Sequence, residues 1–118
     1  MDFAQGLDQI VEAFLAVPGI ETASTDPAEV IAPGVWVQMV QLTPDTLDTW
    51  AMDTQALLVV TDSDSGSGPA GALSALLTAC LAAGISPDGP VQGRTVILPS
   101  NPAALPGLLL PITVRIPA

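Results

Sequence analysis

Residues 69–85 read PAGALSALLTACLAAGI, and the spacing of their apolar side chains decides the architecture. Leu73, Leu76, Leu77, Cys80 and Leu81 recur at i, i+3, i+4, i+7 and i+8, which places them on one face of a helix. Ala72, Ala75, Ala79 and Ala82 fill the remaining positions with the strongest helix former. Pro69 suits the first turn, where its missing N–H has no intrahelical partner to lose, and Ser67 or Gly68 stands where a cap belongs. Gly84 is the expected stop, since glycine enters the left-handed conformation at little cost. A helix this apolar and uncharged must lie on something, and the flanking segments read as strands.

Working outward, residues 2–16 carry Phe3, Leu7, Ile10, Val11, Phe14 and Leu15 at helical spacing, with Asp2 placed to cap or to complement the macrodipole. Pro18 and Gly19 end this helix. Residues 19–34 hold Pro27, Pro33 and Gly34 and read as a long, mobile connection with at most a short strand near Ile20. The run VWVQMVQL (35–42) and the run WAMDTQALLVV (50–60) read as strands, the second returning antiparallel to the first. The turn between them carries Asp45 and Asp48. TDSDSGSG (61–68) is a polar, acidic loop. RTVIL (94–98) is a third strand, residues 99–107 a proline-studded connection, and LLLPITVRI (108–116) a last strand in which Pro111 argues for an edge position or a bulge.

The resulting order is α-β-β-α-β-β. It predicts a single α+β domain over residues 1–118, with a mixed or antiparallel sheet and both helices packed on one face. Ile112, Val114 and Ile116 are expected toward the helices, with Thr113 and Arg115 pointing outward.

Composition narrows the function. Twelve acidic residues face only two cations, Arg94 and Arg115, and lysine and histidine are absent, for a net charge of −10. Phosphate neutralisation needs a basic stripe that two arginines cannot make, so specific nucleic-acid binding is excluded and DNA is expected to slide past. Charged residues are only 12% of the chain, which leaves a neutral, small-residue surface suited to cover by neighbours in an assembly. The acidic N-terminal segment lacks the basic region of a secretory signal, and no run is apolar enough to span a membrane, so a soluble, cytoplasmically made protein is expected.

Candidate chemical motifs fail on their neighbours. Gly66-Ser67-Gly68-Pro69-Ala70-Gly71 matches G-x-G-x-x-G, but Asp62 and Asp64 would set negative charge beside a pyrophosphate. Asp88, at the distance of a ribose-binding acid, falls in a loop. Asp62-Ser63-Asp64-Ser65-Gly66 opens like a calcium loop, yet its glycine comes one position early and Leu73 stands where the bidentate Glu belongs. Cys80 is the sole cysteine; it can form no intrachain disulfide and is expected to be a buried structural thiol. No histidine, lysine or tyrosine is present to act as a base, so the reading is a non-enzyme with no cofactor and no metal. Asp45, Asp48 and Asp53 are a possible carboxylate cluster but fit better as a solvated acidic rim. Trp36 and Trp50 are expected in the core or at a subunit interface.

This pattern resembles the tail terminator and head-to-tail connector proteins of long-tailed bacteriophages. The resemblance rests on the N-terminal helix ending in VPGI, the strand PGVWVQMVQL followed by TPDTL, the strand WAMDTQALLVV, the small-residue helix with its closing glycine, and LPITVRIP. It implies a homo-oligomeric ring, a hexamer, that caps the finished tail tube at its head-proximal end. The partners would be further copies of itself, the tail tube protein and the head-connector proteins, with the genome passing through the lumen and no membrane involved. On this reading the protein is a virion component of the tail–neck region. Asp45, Asp48, Asp62 and Asp64 would then include lumen- or rim-facing charges, and the loops 19–34 and 61–68 would order on assembly. Another neck adaptor or minor tail component fits the same features. From a different class, a small ferredoxin-like ligand-binding regulatory domain also fits the element order.

Overall fold

A computed structural model describes residues 2–61 and 68–117. The elements are α1 (Phe3–Leu15), β1 (Thr22–Ser24), a 3-10 turn (Pro27–Glu29), β2 (Gly34–Pro44), β3 (Thr49–Val59), α2 (Gly68–Ala82), β4 (Gln92–Leu98) and β5 (Asn101–Pro117). They form a five-stranded sheet in the order β1-β2-β3-β5-β4. Only the short β1 pairs in parallel, so the sheet is mixed, and the two hairpins β2–β3 and β4–β5 join through an antiparallel β3–β5 ladder.

Both helices lie on one face, as expected. Asp2 caps α1 by accepting the Gln5 N–H at 3.0 Å, and α1 buries Gly6, Ile10 and Phe14. Gly6 lets the helix approach closely, since a Cβ there would stand 3.1 Å from Met52 Cε. From α2, Leu76 and Cys80 enter the same core as Val35, Val37, Met52, Ala56, Leu58, Leu110 and Ile116. The apolar stripes are narrower than their spacing predicts: Phe3, Leu15 and Leu81 remain largely exposed, because each helix meets the sheet along a single line. Gly84 closes α2 in the left-handed region at φ +90°. Its N–H donates to Leu81 and the Ile85 N–H to Cys80, both at 3.1 Å, the bond pair of a Schellman motif.

The segment expected as a mobile connection is instead packed down. Val30 is fully buried in a second core on the helix-free face, with Leu57, Val59, Val96, Leu98, Leu105 and Leu109. The Thr22 hydroxyl donates to the Ile31 carbonyl at 2.8 Å and accepts the Ile31 N–H at 2.9 Å. Ser100 Oγ, in the β4–β5 turn, donates to the Val30 carbonyl at 2.6 Å.

The proline-studded connection at 99–107 is also corrected, because β5 begins at Asn101. Proline breaks a sheet by withholding an N–H, and that matters only where a partner strand waits for it. The Pro106 carbonyl accepts from Val60, one residue past the end of β3, so its missing N–H lies where the ladder has already finished. The Pro111 carbonyl accepts the Asp88 N–H at 2.9 Å on the opposite flank, beyond the last β4–β5 pair, Gln92 with Leu109. Pro111 thus occupies a local edge within an interior strand. Ile112, Val114 and Ile116 pack toward the helices, and Thr113 and Arg115 point outward.

Candidate functional site

The helix-free face has two parts. Near β4 it is the second apolar core; toward the β2–β3 turn it becomes polar. There Asp53 accepts from Gln41 Nε2 at 2.6 Å and from the Thr113 hydroxyl at 3.1 Å. Next to it Arg115 pairs with Asp45 at 3.4 Å. Asp53 is therefore committed to strand neighbours, and the carboxylate cluster weighed for Asp45, Asp48 and Asp53 does not assemble as a ligand set. Among the described residues no group of three or more His, Cys, Asp or Glu stands ready to hold a metal ion.

Asp45 and Asp48 do come together at the turn, where both are exposed. The Asp45 and Thr46 N–H groups donate to the Thr49 carbonyl at 3.1 and 3.2 Å, and the Thr46 and Thr49 hydroxyls bond at 2.7 Å. This closed turn holds Leu47 at its tip, 99% exposed. The molecule is elongated, 51 Å against 28 and 22 Å across. Asp62 and Asp64, with the whole calcium-like stretch and the first two residues of the G-x-G-x-x-G stretch, lie outside the described residues.

The other assigned residues have structural partners. The Asp88 carboxylate accepts the Thr113 N–H, which removes it from any ribose-binding role. Cys80 is fully buried, and burial raises its thiol pKa above the ordinary value, the signature of an inert thiol. Trp50 is half-buried at the start of β3, opposite Pro44 and Ile116. Trp36 is half-buried on the helix-free face and donates its indole N–H to the Thr25 carbonyl at 3.3 Å.

Trp36 also borders a feature the sequence did not reveal. A half-open groove of about 390 Å³ runs along β4, lined by Leu57, Val96 and Leu109 with Trp36, Gln55 and Arg94, and no carboxylate among the described residues lines it. Its walls come from four strands far apart in sequence, so no local motif announces it. Arg94 bonds Gln92 Oε1 at 2.9 Å and has no carboxylate partner among the described residues.

Both long flanks of the sheet are partly open. Beyond the three residues that pair with β1, β2 exposes Met39 and Val40 at a bulge; on the opposite flank β4 exposes Ile97. No helix among the described residues is long and apolar enough to cross a membrane. No protein-family model, curated protein or solved structure matches the chain.

Proposed function

We propose that this protein is a structural component of a phage virion: the subunit of a homo-oligomeric ring at the head-proximal end of a long tail. There it ends polymerisation of the tail tube and joins the tail to the head connector. The observation that carries this reading is the exposed apolar set Leu47, Met39, Val40 and Ile97 at the turn and open flanks of a sheet whose helices cover only the other face. In a chain with so few charges, such surface fits burial between subunits. The net charge of −10 fits a conduit that leaves DNA ungripped, because like charge keeps a polyanion from adhering. Asp45 and Asp48, exposed together at the turn, are the described candidates for charges on the lumen or rim.

The test is the assembly state, by size exclusion with light scattering and negative-stain imaging, of the protein alone and with tail tubes lacking their upper end. Rings, or a cap on one end of the tubes, are the expected result. A monomer indifferent to tubes at high concentration removes the reading.

A further inference from the structure

We propose that the turn of one copy docks in the β4 groove of the next. Leu47 would seat on Leu57, Val96 and Leu109, and Asp48 would pair with Arg94, which withdraws Asp48 from the lumen or rim and leaves Asp45 as the described candidate there. This inference rests on the ring reading and supplies its subunit contact.

Three observations converge on a second copy as the occupant. The tip presents one fully exposed leucine between two carboxylates, and the groove presents an apolar floor beside one guanidinium and, among the described residues, no carboxylate. An apolar anchor flanked by acid fits an apolar pocket rimmed by a cation. Second, the charges are already sorted for it. Arg115 is engaged by Asp45 within its own chain, whereas Arg94 and the Asp48 carboxylate each lack an ionic partner among the described residues. In a chain of twelve acids and two cations, the surface around Arg94 is where another acidic copy meets attraction. Third, the groove cannot take its own tip. From Trp50 to Leu57 the strand runs roughly 23 Å away from the turn, and the closed turn leaves no slack to fold back.

A tip-to-groove contact joins two different patches, so it is heterologous: each copy gives its tip to one neighbour and its groove to the other. Such contacts close into a ring when the rotation permits and otherwise extend as a filament.

Two variants, Leu47→Asp and Arg94→Glu, test it. Both positions are exposed, and circular dichroism and thermal melts should confirm that both variants fold. Each alone should self-associate at least about tenfold more weakly than the unmodified protein, as loss of an interface anchor does. Mixing the two should restore one contact only, the intact tip of the Arg94→Glu chain in the intact groove of the Leu47→Asp chain. The product should be a 1:1 dimer that cannot propagate. The double exchange Asp48→Arg with Arg94→Glu should regain assembly within one chain.

If the unmodified protein forms rings and both variants do so equally well, this contact is overturned and the ring reading stands. If mixing gives no dimer but Arg94→Glu abolishes capping of tubes, the groove serves the tube protein and the contact is likewise overturned. If the unmodified protein stays monomeric even on tubes, the ring reading fails and takes the contact with it.

Discussion

Asp88 stands in for a missing strand beside Thr113. Its carboxylate accepts the Thr113 N–H and its own N–H donates to the Pro111 carbonyl at 2.9 Å, so a loop residue supplies both bonds that β4, beginning only at Gln92, does not reach. Exposed strand edges template aggregation, and covering them is a recurring protective device. Asp88→Ala should lower stability by about 1 kcal/mol, the net value of such a bond, and leave the edge bare at Thr113 while the backbone bond to Pro111 persists. Urea midpoints report the first effect. Light scattering during prolonged incubation reports the second, and unchanged scattering would show that the edge is protected by something else.

Gly34 and Gly84 should respond oppositely in kind to the same change. A Cβ at Gly34 would lie 2.5 Å from both the Ile31 carbonyl and Thr22 Oγ1, whereas at Gly84 it meets nothing within 4 Å. Gly34→Ala must therefore push backbone away from backbone, costing about 2 kcal/mol or more. It should also loosen the segment that carries Val30. Gly84→Ala carries only the left-handed penalty of about 1 kcal/mol. Denaturation midpoints of the two variants, measured side by side, check the ranking.

The thiol of Cys80 should be silent toward a thiol reagent in the native protein and react fully once unfolded. Because burial raises its pKa in the folded state, the unfolded chain loses the thiol proton first as pH rises. Stability attributable to this group is complete below the ordinary thiol pKa and declines from there upward. A Cys80→Ala variant should show less of that alkaline decline in urea midpoints measured across the range.

The ion pair of Arg115 with Asp45 spans 3.4 Å with the arginine side chain 74% exposed. Exposed pairs of this kind contribute between about 0 and 1 kcal/mol, so Arg115→Gln should barely move the urea midpoint. A large loss would mean that the pair shapes the turn holding Leu47.

The sequence was most readable where local chemistry acts alone. β-Branched and aromatic residues between Pro33-Gly34 and Thr43-Pro44 marked β2, an apolar run marked the end of β3, and Gly84 marked the end of α2, because each depends on neighbours only a few residues away. It misled at Pro106, whose tolerance depends on which flank of β5 still has a partner. It misled again at 19–34, where burial of Val30 depends on β4 and β5. The same distinction divides the candidate site. The acidic turn with Asp45 and Asp48 was visible as a turn. The groove by Arg94 was not, since strand order alone brings Trp36, Leu57, Val96 and Leu109 together.

The place of β5 has a temporal consequence. It lies between β3 and β4 and pairs along most of its length with one or both, yet residues 101–117 leave the ribosome after every other described element. Until they emerge, β3 has one flank unpaired and β4 has no partner at all. The two hairpins cannot join before synthesis delivers the strand between them. Non-local pairing of this kind delays folding, and a chain awaiting it exposes apolar strand faces to aggregation. Folding of this sheet is thus gated by translation, and a pause between α2 and β5 would hold the nascent chain in its most vulnerable state.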